Sequence, residues 1–179
     1  MKTVMEAIKA RRSIRSYQDK PLPKKVVNDI LEAAKYAPTA RNMQELEYKV
    51  ITGKVLMDKL CVGIAAAMQK EGMSLKSPPG GKPNFFYSAP LLIIITAPKD
   101  NMFAATDSGI AAENIMLYAT SIDLGSCFIG MAKLIERDKN LLKMVRIADN
   151  MTIVAAIICG YPAEDPAPKE KTLKAEFIE

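Results

Sequence analysis

Apolar residues recur at helical spacing in several stretches of the chain. Val26, Val27, Ile30, Leu31 and Ala34 predict a helix from about Lys24 to Tyr36, stopping before Pro38. A residue ahead of proline is pushed out of the helical region, so the stop is a steric one. Leu56, Leu60, Ile64 and Met68 predict a helix over 54–69. A long helix is expected from about Met102 to Ile122, with Ile110, Asn114, Leu117, Tyr118 and Ser121 along one face. Gly109, Ala111, Ala112 and Ala119 are small enough for close packing there, which suits a central helix at a subunit interface. Near the start, Thr3 and Glu6 have the spacing of a capping box, and Val4, Met5 and Ile8 follow as an apolar stripe. They predict a helix over 4–11. Leu134 to Val145 reads as one more helix, whole or broken.

Strand patterns lie between these helices. Leu46, Tyr48 and Val50 alternate with Glu47, Lys49 and Ile51, the pattern of a strand with one face more buried. Ala89 to Thr96 is an unbroken aliphatic run, expected as a buried central strand with Pro90 at its start. Thr152 to Cys159 predicts a second buried strand. Gly125 suits a left-handed cap after the long helix, and Gly130 suits close backbone approach to a neighbour. Gly72 to Asn84 has no sustained pattern and reads as a loop or lid. Phe85, Phe86 and Tyr87 read as packing residues. The tail beyond Ala163 ends in Leu173, Phe177 and Ile178, with little domain left to cover them. It is expected to dock on another surface, such as a partner subunit.

Composition narrows the chemistry. The 179 residues are enough for one domain with a real core, and a quarter of them are charged. The formal charge of +5 comes with no stripe of basic residues and aromatics, so nucleic acid is not an expected partner. No apolar run is long enough for a bilayer span and no secretory pattern stands at the start, so a cytoplasmic location is expected and a membrane is not. Cys61, Cys127 and Cys159 are odd in number and widely spaced, which fits reduced, buried thiols and no metal site. The chain has no histidine. That removes Ser-His-Asp and Cys-His nucleophilic catalysis and the usual imidazole base. An enzyme of this composition is expected to take its difficult chemistry from a cofactor.

Arg11-Arg12-Ser13-Ile14-Arg15 is the densest candidate for binding one. Arginine offers a planar fork of donors that suits phosphate oxygens and the carbonyl edges of heterocycles. By itself the run fits a solvated basic turn at a helix end better than a site. Further on, Pro38-Thr39-Ala40-Arg41-Asn42 is a loop of small and hydrogen-bonding residues.

These pieces, with Phe86-Tyr87-Ser88-Ala89-Pro90, Asp107 to Asn114, Leu124 to Gly130 and Gly160-Tyr161-Pro162 in that order, resemble the nitroreductase family of FMN-dependent oxidoreductases. The resemblance spans nearly the whole chain. It implies an α+β fold: a mostly antiparallel central sheet flanked by helices, one domain over 1–179, in an intertwined homodimer with FMN at the interface. It implies that 161–179 docks on the partner subunit. Arg11, Arg12, Ser13 and Arg15 would bind FMN, with Arg11 on the phosphate and Arg15 on the ring. Pro38, Thr39, Ala40 and Asn42 match the loop that the partner lays against the flavin. Ile129 and Gly130 match the loop whose amides face N5, and Lys169 and Lys171 match a basic pair near the phosphate. The implied activity is ping-pong transfer of hydride from NADH or NADPH, through FMN, to nitroaromatic or quinone-like acceptors. A non-catalytic flavin-binding module, reductive dehalogenation and flavin destruction are the alternatives.

Overall fold

The computed structural model describes residues 1–74 and 82–178. Most of the expected loop over 72–84 therefore lies outside the described residues. Among the described residues the helices are α1 (Val4–Ala10), α2 (Lys24–Lys35), α3 (Lys54–Lys70), α4 (Ala104–Ser121) and α5 (Lys139–Met144). The strands are β1 (Glu47–Ile51), β2 (Leu91–Pro98), β3 (Gly125–Phe128) and β4 (Met151–Gly160). Two 3-10 segments, Ala40–Asn42 and Gly130–Arg137, complete the list.

The strands form one antiparallel sheet in the order β1-β2-β4-β3. The fold is the expected α+β arrangement. β2 and β4 are its centre, and helices cover both faces, which is why their sequences are mostly aliphatic. Leu92 and Ile94 of β2 pack toward Leu60, Ile64 and Met68 of α3. Leu91, Ile93 and Ile95 point the other way, toward Ile30 of α2 and Ala111, Ile115 and Ala119 of α4. Each such side chain is worth roughly 1.5–3 kcal/mol when fully buried. The β2–β4 register slips once: Ile95 faces Ala155 and Thr96 faces Ile153, which leaves Val154 unmatched in a bulge.

On α4 the small residues Ala111, Ala112 and Ala119 are buried as expected, together with Ala104, Ile115 and Met116, whereas Ile110 is 37% exposed. The helix lies so close to the sheet that small side chains fill the contact. The left-handed residue after α4 is Asp123, with φ 63°, not Gly125. Gly125 instead begins β3, a strand the sequence pattern does not announce. A Cβ there would lie 2.9 Å from the Ile14 side chain, so the close approach belongs to Gly125. Gly130 has nothing within 4 Å of such a Cβ.

The capping box of α1 forms as expected: Thr3 and Glu6 accept from each other's backbone N–H. Its apolar stripe faces outward, however, with Val4 75%, Met5 58% and Ile8 47% exposed. Of the two forms expected over Leu134 to Val145, whole or broken helix, the broken one forms: the break is at Asp138, whose side chain caps α5 by accepting from the Asn140 N–H at 2.8 Å. Residues 164–178 have no regular structure, and Leu173, Phe177 and Ile178 are each at least 90% exposed.

Candidate functional site

The segment from Arg11 to Tyr17 is laced onto the sheet by its apolar members. Ile14 is buried against Gly125, and its N–H donates to the Ser126 carbonyl at 2.9 Å. Ser13 forms a bridge to Ser126, and Tyr17 forms one to Pro162 just past β4. The buried Tyr17 hydroxyl donates to the Ile14 carbonyl at 2.7 Å. Burial drives the phenol's pKa far above the usual tyrosine range, with smaller contributions from Cys159 and Cys127, so the hydroxyl keeps its proton and its donor role. The polar members then stand on a fixed backbone.

Each arginine has a different setting. Arg11 Nε lies 3.3 Å from Glu113 of α4, in a partly exposed pair. Arg12 folds back, and its Nη1 donates to the Lys9 and Arg11 carbonyls at 2.7 and 2.8 Å. These bonds satisfy carbonyls that the end of α1 leaves open. Its Nε is buried with no hydrogen-bond partner. Arg15 is exposed, and its backbone N–H donates to Glu164. Arg12, Ile14, Gly125, Glu164 and Pro166 border a cavity of about 320 Å³.

The loop after α2 is held by a different partner. Asp107, buried in the first turn of α4, accepts the Ala40 N–H with both carboxylate oxygens, at 3.1 and 3.3 Å. The Gln44 N–H donates to Thr39 Oγ1 at 3.1 Å, and Gln44 Nε2 donates to Asn42 Oδ1 at 2.8 Å. Arg41, Asn42 and Gln44 sit in the left-handed region, with φ of 53°, 55° and 54°. Such conformations cost roughly 1–2 kcal/mol per residue and persist where the surroundings impose them. Pro38 is exposed.

Ile129 and Gly130 follow β3. The Ile129 N–H donates to Ala156 of β4 at 2.8 Å, and Gly130 is exposed beside open space. Both border a cavity of about 290 Å³ whose floor is the bulged part of β4 and whose wall includes Lys133.

One chain does not bring all these residues together. Asp107 and Glu113 are six residues apart on a helix of 3.6 residues per turn, so they project from different sides of α4. The Pro38–Asn42 loop and the arginine cluster therefore pack on different sides of that helix. Lys169 and Lys171 are exposed and make no ion pair among the described residues. Asp107, Glu113, Glu136 and Glu164 position this region, yet each acts across a long sequence separation. Only Asp107 and Glu113 lie within a motif readable beforehand. Among the described residues no helix is long and apolar enough to cross a membrane, and no three His, Cys, Asp or Glu cluster for a metal.

Residues 8–161 match the model of the nitroreductase family. The chain belongs to this family. A protein of Methanothermobacter thermautotrophicus whose name places it among NADH dehydrogenases and NAD(P)H nitroreductases is 30% identical over 171 residues, covering 93% of this chain and 81% of that one. A nitroreductase from Bacteroides fragilis, solved with bound FMN, superposes with a TM-score of 0.79 at 29% identity, over 100% of this chain and 98% of that one. A nitroreductase from Desulfitobacterium hafniense shares the fold, with a TM-score of 0.85 at 23% identity, over 100% of each chain. The match to the nitroreductase family runs from within α1 to just past β4.

Proposed function

We propose that this nitroreductase-family chain is an FMN-dependent oxidoreductase, passing a hydride from NADH or NADPH to small nitroaromatic or quinone-like acceptors as a homodimer. The observation that carries the reading is the pinned backbone at Ile14 and Tyr17, which fixes the segment bearing a set of donors, Arg11, Arg12, Ser13 and Arg15. Flavin mononucleotide presents acceptors to such a set: phosphate oxygens at one end, ring carbonyls at the other. The buried, unpartnered Arg12 Nε and the open space at Gly130 fit a ligand of that kind. The bound FMN of the Bacteroides fragilis relative supports the same choice.

Bound FMN supplies the reversible two-electron carrier that the side chains of this protein lack. Arg11, Arg12 and Ser13 would hold its phosphate, joined by Lys169 and Lys171 from the tail. Charge-assisted bonds of this type contribute roughly 1.5–3 kcal/mol each. Arg15 would face the pyrimidine edge, where its charge favours the negative charge that builds up on reduction. The Ile129–Gly130 turn would orient the ring from the N5 side. Solvent can supply protons, so the lack of histidine is no obstacle.

Three observations support the homodimer. The Pro38, Thr39, Ala40 and Asn42 loop lies on a different side of α4 from the arginines, so a second copy is the source that could lay it on the same flavin. The apolar tail residues find no seat on their own chain, and the α1 stripe has no cover. The test is direct. Purified protein should show a flavin spectrum or acquire one from added FMN, and NADH or NADPH should bleach it without oxygen. A colourless protein that takes up no FMN would overturn the proposal.

A further inference from the structure

Outside the arginine cluster, Glu136 is a carboxylate held by several donors at once. It sits in the 3-10 segment Gly130–Arg137, two turns beyond the exposed Gly130 amide. Its Oε1 accepts from Lys133 Nζ at 3.0 Å, from Thr152 Oγ1 at 2.8 Å and from the Ile153 backbone N–H. Lys133 also donates to Thr152 Oγ1 at 2.6 Å and to the Ile153 carbonyl at 2.9 Å, so all three ammonium hydrogens are placed. Partial burial pushes the Glu136 pKa up, but these donors outweigh it and leave the group below the usual glutamate range.

The location is what gives this clasp a role. Ile153 is the residue where the β2–β4 register slips, and bulges commonly sit where a strand is re-aimed beside a site. The segment 129–136 is tied to β4 at two points. One is Ile129 to Ala156, and the other is the clasp at Thr152–Ile153. The cavity of about 290 Å³ that Gly130 borders lies between those ties, over Val154 and Ala155. A turn held at one end swings, whereas a turn held at both ends presents its first amide in one direction.

We infer that Glu136, with Lys133 and Thr152, is a positioning residue that fixes the Gly130 amide toward the N5 side of the bound ring. This rests on the proposed FMN site. Glu136 touches neither cofactor nor substrate; it acts through the turn.

Two variants separate geometry from charge. Glu136→Ala removes the acceptor. Glu136→Gln keeps one carbonyl oxygen for Ile153, Thr152 and Lys133 but removes the charge. On protein without flavin, amide hydrogen exchange across 129–133 should speed up at least tenfold in Glu136→Ala, with α3 and α4 unchanged, and stay near wild type in Glu136→Gln. With FMN bound, the reduction equilibrium should shift about tenfold in Glu136→Ala, equivalent to about 30 mV for a two-electron couple. It should shift little in Glu136→Gln. Unchanged exchange at 129–133 overturns the inference and leaves the FMN reading standing. Faster exchange with an unmoved potential overturns it too, as does an equal shift of potential in both variants, which would mark a charge effect. Wild-type protein that binds no FMN overturns the functional reading beneath it.

Discussion

Two basic stretches of this chain look alike as strings of letters and behave differently in the fold. Arg11 to Arg15 alternates its guanidinium groups with residues that bury: Ile14 sits under Gly125, and Tyr17 hydrogen-bonds back to the Ile14 carbonyl. Lys169-Glu170-Lys171 holds no apolar residue and lies exposed. In the first stretch the core determines where the charges stand. In the second nothing within the chain does, and a second copy is what would place them. A basic run becomes a site when apolar residues within it anchor the backbone; charge density alone does not distinguish the two.

The largest test of this contrast is Ile14→Ala, which should cost about 2–5 kcal/mol in a denaturant melt, as large-to-small changes in a core do. The Lys169→Ala, Lys171→Ala pair should stay within about 0.5 kcal/mol in the same melt. Equal midpoints would erase the distinction. Tyr17→Phe comes next. It leaves the buried Ile14 carbonyl without its donor, for an expected loss of about 1–3 kcal/mol, read from thermal or urea unfolding.

Binding sharpens the contrast from the other side. Truncation before Lys169 should leave the melt of the folded domain nearly unchanged, yet weaken FMN retention and the dimer, read by flavin fluorescence and sedimentation. A truncated protein that remains dimeric and yellow would remove the tail from the site. Arg15→Ala should slow flavin reduction by NADH or NADPH more than it weakens FMN binding in stopped-flow and titration; equal effects would contradict a ring-edge position. The smallest effect concerns acid. The folded Glu136 pKa lies below its unfolded value, so its stabilisation is complete above the ordinary glutamate range and is lost as pH falls through the folded value. A stability profile of Glu136→Gln should lack that part of the acid slope.

Much of the frame was legible beforehand. Thr3 and Glu6 located α1, and the aliphatic run before Thr96 located the sheet centre, because each signal is local and repeated. β3 was not legible. Gly125-Ser126-Cys127-Phe128 has no alternation, and it becomes a strand only because β4 lies beside it. On α4 the close-packing residues Ala111, Ala112 and Ala119 were legible by their size, and the sheet is what they pack against. Gly125 makes a close approach instead of capping the helix, because a glycine's neighbours in space are not written in its neighbours in sequence. At the candidate site, the arginines and the small-residue loop were visible as motifs. The carboxylates Glu136 and Glu164, which hold backbone amides far away in the chain, carried no local mark.

All three thiols are shut inside the fold, and they lie on three different elements: Cys61 on α3, Cys127 on β3 and Cys159 on β4. Burial holds the Cys159 thiol up at about 12 and raises that of Cys61 as well, so neither forms the reactive thiolate at neutral pH while the protein is closed. The molecule therefore carries its own clock for opening. An alkylating reagent would mark each layer only when that layer parts, and the order of labelling would record whether the outer helix, the edge strand or the sheet centre comes undone first.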